Sequence, residues 1–562
     1  MELTPQQPPR APGPEDSFDA GRPAPDAPVP DPASLAEPPP PTMRTTLRRA
    51  AFGMVAGAVL VTGAVVAVPD DDTDAAPPLP GPASRAMTAT AAGSPASLPD
   101  LTALIADRQK WVGTHPSDAP AWAVLGSAYV ERGRRAADPA YYARAEQALK
   151  RSLDVRPGEK GNTAAWVGLA SLANARNDFV TAKKWGETVR ARQPKEWTVY
   201  PELIDAYNGL GDRKSAITAV EKFTELRAGV PALGRAAEMY RDRGWREDAL
   251  ATAQDAANRA GTPAEKAACL TRLGELAWER GEPKEAVAQY GAALRVDRGH
   301  HPALAGRARA LAALGRTDDA VRDYQAALAR SPRPAYLLEL GELYESLGLD
   351  GDSVGQYEKL RAALERGTAR GVDESLTLGR FEAAHGDADA AVELLRAEWE
   401  RGHRSAAVAD ALGWALHRSG DSDAALEYAQ RAVDSGGQNA SYAYHLGIVQ
   451  RAVNDYGPAR RQLEAALRTN PKFSPLDAPL AQEALDTLGE PPAGGPADMQ
   501  PPPAPEPAPQ APAPQAPAPQ APAPQQQPAP AGPQGQQAVP APPSAAPQAP
   551  VQPSAVPSAA GR

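Results

Sequence analysis

A glycine or asparagine recurs along most of this chain at nearly constant spacing. From Asn177 to Asn454, successive members of this set lie 33 to 38 residues apart, and Gly133 precedes them. Glycine and asparagine most readily adopt the left-handed backbone conformation that ends a helix. The spacing therefore predicts a stack of short helix pairs, with turns at Gly133, Asn177, Gly211, Gly244, Gly281, Gly315, Gly348, Gly386, Gly420 and Asn454.

The residues between these turns repeat in the same phase. In most repeats a Leu–Gly pair precedes the turn and an alanine follows it. The pairs begin at Leu273, Leu340, Leu378, Leu412 and Leu446, and the alanines are Ala145, Ala286, Ala320, Ala391, Ala425 and Ala459. Small residues let two antiparallel helices approach closely, so each repeat is predicted to be one helix–turn–helix unit.

This pattern resembles the tetratricopeptide repeat (TPR) family over roughly 350 residues. Trp122, Leu125, Gly126 and Tyr129 carry the first-helix signature of that family in the first repeat, and Pro157 closes the repeat. The resemblance implies an all-α fold, an α-solenoid superhelix of about ten TPR units. Capping helices are expected at both ends, because no unit buries its apolar face alone.

Composition divides the chain into five segments. We predict a disordered, Pro-rich acidic arm over 1–49, a transmembrane helix over 50–68 and a disordered linker over 69–97, followed by the solenoid over 98–489 and a disordered Pro/Ala/Gln-rich tail over 490–562. Within the solenoid, we expect a leading cap helix at 98–114, repeats over about 119–472 and a trailing cap helix at 476–488. Pro-rich sequence with few aromatic residues cannot bury a core, which is why the arms are predicted to be disordered.

The segment Ala50–Val68 is uncharged and, as a helix, would span roughly the thickness of a bilayer core. Arg44, Arg48 and Arg49 precede it and four aspartates follow it. The positive-inside rule then predicts a single-pass cell-membrane protein with a cytoplasmic N-terminus and an extracytoplasmic TPR domain. A cleaved signal peptide and a buried soluble helix are the alternatives.

The sequence contains no recognisable catalytic or metal-binding motif. None of the seven histidines stands in an H-E-x-x-H arrangement, Cys269 is the single cysteine, and there is no Gly-rich phosphate loop. The net charge of −10 argues against a nucleic-acid binder. We therefore predict no enzyme activity, no cofactor and no metal. The preference for Arg and Ala indicates a high-GC genome of the actinobacterial type.

In proteins of this family, the first helix of each unit lines a concave groove. By that register, the resemblance implies partner-binding side chains at Trp278, Arg309, Glu342, Glu345, Arg380, Trp414, His417, Arg418, Tyr444 and Arg451. Trp414, His417 and Tyr444 are expected to form one patch; alternatively, Trp278 and Trp414 pack between helices. The Lys and Asn pattern by which some relatives hold an acidic C-terminus is missing from the first three units.

These features together predict a non-enzymatic protein–protein interaction scaffold. We expect it to bind a protein or peptide partner in the groove, to contact the lipid bilayer through Ala50–Val68, and to serve the assembly of an envelope complex. One alternative is a structural spacer that links membrane and wall through the solenoid and the Pro-rich tail. Another is a cytoplasm-facing scaffold for signalling or assembly.

Overall fold

The computed structural model describes residues 81–435 and 437–489, and within these ranges the chain forms 23 α-helices and one short 3-10 helix, without a β-strand. It begins with α1 (Pro82–Ala92) and α2 (Leu98–Thr114). Units 1 to 5 are α3–α4 (Ala119–Ala136, Ala140–Val155), α5–α6 (Thr163–Ala175, Phe179–Arg192), α7–α8 (Val199–Leu210, Arg213–Leu226), α9–α10 (Val230–Asp242, Arg246–Arg259) and α11–α12 (Pro263–Glu279, Pro283–Val296).

The second half continues the same arrangement of antiparallel helix pairs. Units 6 to 10 are α13–α14 (His301–Ala313, Thr317–Arg330), α15–α16 (Pro334–Ser346, Asp350–Thr368), α17–α18 (Ser375–His385, Ala388–Glu400), α19–α20 (Ala406–Arg418, Ser422–Val433) and α21–α22 (Ala440–Ala452, Tyr456–Thr469). Helix α23 (Asp477–Thr487) follows the last unit. The described chain is therefore an all-α solenoid of ten helix pairs, as the repeat pattern predicts.

The repeated small residues are the reason that the helices pair so closely. The six alanines that follow the predicted turns have no exposed surface. At Gly274, an added Cβ would lie 2.6 Å from the ring of Tyr290, and at Gly341 it would lie 2.3 Å from the ring of Tyr357. Real Cβ atoms do not approach other atoms so closely, so the large side chain of the second helix fills the space that glycine leaves on the first.

Eight of the ten predicted turn residues adopt the left-handed conformation: Asn177, Gly211, Gly244, Gly281, Gly315, Gly348, Gly420 and Asn454. The other two predictions are wrong. Gly133 lies inside α3, where an added Cβ would be 2.6 Å from the ring of Tyr142, and Ala137 takes the left-handed turn with a φ of 49°. Gly386 lies outside the left-handed region, with a φ of −142° and a ψ of −130°, and the side chain of Asp387 caps the following helix.

The segment predicted as a disordered linker contains helix α1, so that prediction is corrected. Ala86 on α1 has no exposed surface. Gly93, which ends α1, packs on Trp197 in the loop before α7, and an added Cβ would be 3.0 Å from that ring. The packing partner of this segment lies in a distant repeat, which is why local composition suggested a linker. Helix α2 spans the segment expected to cap the first unit.

The superhelix winds so tightly that its successive turns touch. The side-chain amide of Asn177 in unit 2 donates a hydrogen bond to the carbonyl of Asp373 at 2.8 Å, and the backbone amide of Asp373 donates to the carbonyl of Arg176 at 2.8 Å. The side-chain amide of Asn470 donates to the carbonyl of Trp278 at 2.9 Å. These side chain–backbone pairs are 196 and 192 residues apart in sequence.

The same contact recurs in each of units 1 to 5. In every case the contact starts at the end of a unit's first helix or in the turn after it. It reaches the loop before the unit that lies six places later in the stack, so unit 1 touches the loop before unit 7. For unit 5, the loop before α23 takes this place. We name these five contacts the inter-turn seam: Arg134 with Arg333, Arg176 and Asn177 with Asp373, Gly211 with Arg404, Asp242 with Gly437, and Trp278 with Asn470. One turn of the superhelix thus contains about six units.

The predicted localisation is corrected by the structure. Across residues 81–435 and 437–489, every helix is too short or too polar to cross a bilayer. The placement as a single-pass membrane protein with an extracytoplasmic TPR domain is therefore contradicted. The span Ala50–Val68 on which it rested lies outside the described residues, as do the predicted arm over 1–49 and the predicted tail over 490–562.

Candidate functional site

A cavity of about 900 Å³ lies between the two turns of the superhelix. Side chains of units 3 to 6, from Asn208 to Arg309, line one side of it. The other side is formed by the loops and helix starts of units 9 and 10, together with Asn470 and Phe473. We call this space the inter-turn cavity. It exists because the inter-turn seam holds the two turns against each other.

The charge of this cavity is opposite to that of the whole protein. The chain has 59 basic and 69 acidic residues. The cavity lining, in contrast, has more arginines than carboxylates: Arg213, Arg241, Arg246, Arg280, Arg309, Arg404 and Arg431 against Asp242, Glu275, Glu279 and Asp434. A concave surface with one sign of charge concentrates ligands of the other sign.

Four of these arginines are paired with carboxylates of the protein itself. Arg309 is 2.9 Å from Glu339 and 3.4 Å from Glu275, measured between side-chain nitrogen and oxygen atoms. Burial alone would lower the pKa of Arg309, but the charges of these two carboxylates raise it above its ordinary value. The remaining pairs are Arg241 with Asp242 and Glu279, Arg280 with Glu282, and Arg431 with Glu427.

Arg246, the first residue of α10, differs from the paired arginines. Its Nη2 atom is buried and has no hydrogen-bond partner within the described part of the chain. Burial lowers the pKa of Arg246; nearby Glu279 opposes that shift, and the charge of Arg280 adds to it. An unsatisfied charged donor is costly, and Arg246 shares this feature with one side-chain nitrogen each of Arg135, Arg176, Arg333 and Arg460.

Two of the residues predicted from the groove register line the same cavity. Trp278 and Arg309 meet there, with the guanidinium 5.7 Å from the centre of the indole ring. Trp278 is 8 % exposed and belongs to the apolar core of units 5 to 7. Its indole thus packs between helices while its edge reaches the cavity. A binding role for these two residues stays a prediction.

Glu342 and Glu345 lie together in unit 7 and face His385 of unit 8. The two histidine nitrogens are 3.5 Å and 3.2 Å from the carboxylates of Glu342 and Glu345. The hydroxyl of Tyr357 also donates to Glu345, at 2.6 Å. Burial raises the pKa of Glu342, and the hydrogen bond from His385 opposes the shift. Both predicted carboxylates are therefore engaged by neighbouring side chains.

Trp414, His417 and Tyr444 form one aromatic cluster. The Trp414 ring centre is 5.3 Å from that of His417 and 5.9 Å from that of Tyr444, and it stacks on His445 at 4.2 Å. Tyr444 is only 3 % exposed and packs against Phe473 at 5.7 Å. The three residues are thus brought together, but Tyr444 offers almost no surface to a partner.

The three remaining predicted residues are arginines on separate helices. The Arg418 guanidinium lies 5.9 Å from the centre of the Trp414 ring. Arg380 is exposed and 4.0 Å from the carboxylate of Asp410. Arg451 is partly buried on α21. Thus, of the ten predicted residues, only Trp278 and Arg309 line the inter-turn cavity.

A group of acidic and histidine side chains that the sequence analysis missed lies at the seam. Asp373, Glu398 and His403 place one ligand atom each within 4.8 Å of one another, a spacing that could hold a metal ion. However, the guanidinium of Arg401 forms ion pairs with both Glu398 and Asp373, the latter at 2.9 Å. Because Arg401 already neutralises the two carboxylates, the group fits an internal salt-bridge network better than a metal site.

Comparison with known proteins agrees with the repeat architecture. Residues 271–321 and 306–367 match the family model described as tetratricopeptide repeat, and residues 84–163 match a bacterial transcriptional activator domain. No curated protein matches the chain.

Similar solved structures share little sequence with the chain. One is the APC/C hetero-tetramer Cut9–Hcn1 (15 % identity, 70 % of this chain and 84 % of that chain covered, TM-score 0.36). Another is a tetratricopeptide repeat protein from Parabacteroides merdae (18 %, 46 % and 99 %, TM-score 0.29). A third is pilF of Pseudomonas aeruginosa (16 %, 36 % and 93 %, TM-score 0.30).

The helix pairs, their small-residue contacts and their turns define an α-solenoid repeat protein. The family match covers residues 271–367 and identifies tetratricopeptide repeats in this part of the chain.

Proposed function

We propose that this protein is a non-enzymatic scaffold that binds a protein partner in the inter-turn cavity. The observation that carries this proposal is the cavity itself, a space of about 900 Å³ whose lining comes from six of the ten units and from the last loop. Tetratricopeptide repeats act by protein–protein interaction, and a concave site of this size is where ligands bind most often.

The chemistry of the reactive groups supports a binding role without turnover. Cys269 is 3 % exposed, and burial raises the pKa of its thiol, so it stays protonated and unreactive. His403 and His445 contact carboxylates inside the fold rather than opening into the inter-turn cavity. Such groups hold structure together and do not form a nucleophile–base pair directed at a substrate.

Photo-crosslinking from inside the cavity tests the proposal. A photoreactive amino acid replaces Gln438, which is exposed and lines the cavity, in cells of the source organism. The matched control carries the same probe at Glu393, which is exposed on α18 outside the cavity. We expect one dominant captured protein at Gln438 that is absent at Glu393 and that binds the full chain after purification. The same proteins captured at both positions would contradict the proposal.

A second candidate function is a scaffold that serves transcriptional regulation. It is favoured by the match of residues 84–163, from α1 to the start of α5, to a bacterial transcriptional activator domain. The same crosslinking experiment decides between the two. A captured component of the transcription machinery would support this candidate, and a partner of another class would contradict it.

A further inference from the structure

Three arginines of the inter-turn cavity lack a carboxylate partner among the described residues. Arg213 donates to the backbone carbonyl of Asp242 at 3.0 Å, and Arg404 donates to the backbone carbonyl of Trp399 in α18 at 3.4 Å. Arg246 leaves one buried nitrogen without any acceptor. Unlike the paired arginines, these three line the cavity without a carboxylate within ion-pair distance in the described part of the chain, and Asp434 likewise lines it without a cationic partner. The three arginines come from both turns of the superhelix, so together they surround the space.

The positions of Arg213 and Arg246 cannot be explained by helix stability. Each is the first residue of the second helix in its unit, two residues after a turn glycine. The positive end of the helix dipole disfavours a cation there, and acidic residues are the usual choice. Two consecutive units nevertheless carry an arginine at this position. Asp212 caps α8, and Glu247 and Asp248 lie in the first turn of α10, so these acids already oppose the unfavourable interaction in part. A ligand that supplies negative charge would oppose it further at both sites.

The rest of the lining indicates how the negative charge is presented. The cavity also contains the amide side chains of Gln438 and Asn439 and the apolar surfaces of Leu276 and Phe473. A single phosphate would accept hydrogen bonds from the arginines and the amides but would leave the apolar surface unused. An extended peptide uses all three kinds of group, because its backbone hydrogen-bonds to amides while its side chains alternate between charged and apolar contacts.

We propose that the inter-turn cavity binds an acidic peptide segment of the partner, and that Arg246, Arg213 and Arg404 are the residues that bind its carboxylates. This rests on the proposed scaffold function and adds the chemical class of the ligand. The three arginines lie at helix starts and in an inter-unit loop, so none is at the positions that the concave-groove register indicates. Carboxylate–guanidinium contacts are charge-assisted hydrogen bonds, so binding should weaken as salt rises.

Fluorescence anisotropy with defined probes on the full chain tests this proposal. The acidic probe is a labelled octapeptide of alternating Glu and Ala, and the neutral probe replaces each Glu by Gln. We expect the acidic probe to bind and the neutral probe not to bind. Arg246→Gln and Arg213→Gln should each weaken the acidic probe about tenfold, because each removes a hydrogen-bonded charge pair. Arg259→Gln, at the exposed far end of α10, is the matched control and should leave binding unchanged.

The other outcomes would overturn the assignment. Equal binding of the acidic and neutral probes would exclude recognition of carboxylates, and an unchanged affinity of Arg246→Gln would exclude the cavity as the site. Inorganic tripolyphosphate that binds where the acidic peptide does not would identify a phosphate site instead. If the probes fail while the Gln438 position still captures a partner, the acidic-peptide inference falls and the scaffold function stands.

Discussion

The backbone of Gly211 packs against the carbonyl oxygen of Arg404, and this contact joins two successive turns of the superhelix. A Cβ added at Gly211 would be 2.1 Å from that oxygen. Gly211 therefore meets two requirements at once, since it also adopts the left-handed conformation that ends α7, with a φ of 73°. The same residue that closes a repeat locally allows the superhelix to close on itself.

Gly211→Ala should open the seam at this point. Alanine in the left-handed conformation costs about 1–2 kcal/mol, and here it must also displace Arg404. Gly315→Ala is the matched control, because Gly315 has a φ of 74° and no atom within 4 Å of an added Cβ. Both variants should unfold at lower urea concentration, but only Gly211→Ala should accelerate hydrogen exchange in residues 401–405. Equal exchange in the two variants would contradict the seam contact.

Asn470→Ala should destabilise the C-terminal end of the solenoid. Asn470 is 2 % exposed, and its amide donates to the carbonyl of Trp278 at 2.9 Å. The Trp278 carbonyl still accepts from the backbone amide of Gly281 at 2.9 Å, so the variant loses one buried hydrogen bond, which contributes about 0.5–1.5 kcal/mol. Asn258→Ala, at an exposed position on α10, should change the free energy of unfolding by less than about 0.5 kcal/mol. Urea unfolding of both variants measures the difference, and equal effects would argue against the contact.

Glu374→Gln should remove a pH-dependent loss of stability. Burial, and secondly the charge of Asp373, raise the pKa of Glu374 to about 7 from an ordinary value of 4.5. The folded state therefore holds this proton more tightly than the unfolded state. The stabilisation that comes from this tighter binding of the proton is complete below pH 4.5 and is lost as the pH rises from 4.5 to 7.

The variant should accordingly gain stability over the wild type between pH 5 and pH 8, by about 1–2 kcal/mol after allowance for partial exposure. Thermal unfolding at a series of pH values measures this difference. Glu358→Gln, at an exposed position on α16, is the control and should track the wild type at every pH. A Glu374→Gln curve parallel to the wild type would show that Glu374 does not titrate in this range.

Arg246→Gln should leave the fold intact and raise its stability by up to about 1 kcal/mol. A buried, unpartnered guanidinium nitrogen opposes folding, so replacing the charge by a neutral amide relieves that penalty. Arg259→Gln on the same helix removes an exposed ion pair with Asp255 and should have almost no effect. Urea unfolding distinguishes the variants. A clear loss of stability in Arg246→Gln would mean that this residue has a structural partner.

The helix pairs could be predicted from the sequence because the information for them is local. Gly274 and Tyr290, which pack against each other, belong to one unit. Each turn residue is favoured by its own ability to adopt a positive φ, which does not depend on distant residues. At the wrongly predicted Gly133, α3 continues to Ala136 and the left-handed position falls at Ala137, four residues further on in the same unit.

The inter-turn seam could not be predicted in the same way. It depends on a small rotation between neighbouring units that accumulates over six of them, and no residue pattern encodes that sum. The cavity between the turns therefore stayed hidden as well. Arg213 and Arg246 were missed because the groove register considers only the first helix of each unit, although their shared position after a turn glycine is visible in the sequence.

The seam changes the mechanical character of the solenoid. A stack of repeats normally extends like a spring, because each unit contacts only its neighbours. The free energy of unfolding is then a sum of the stabilities of the units and of the interfaces between neighbouring units. Here the coils touch through contacts such as Asn177 with Asp373 and Asn470 with Trp278, which tie together units six apart. Stretching such a coil requires these ties to break one after another. Elongation should therefore occur in discrete steps, and melting of one repeat should propagate to a repeat on the next coil.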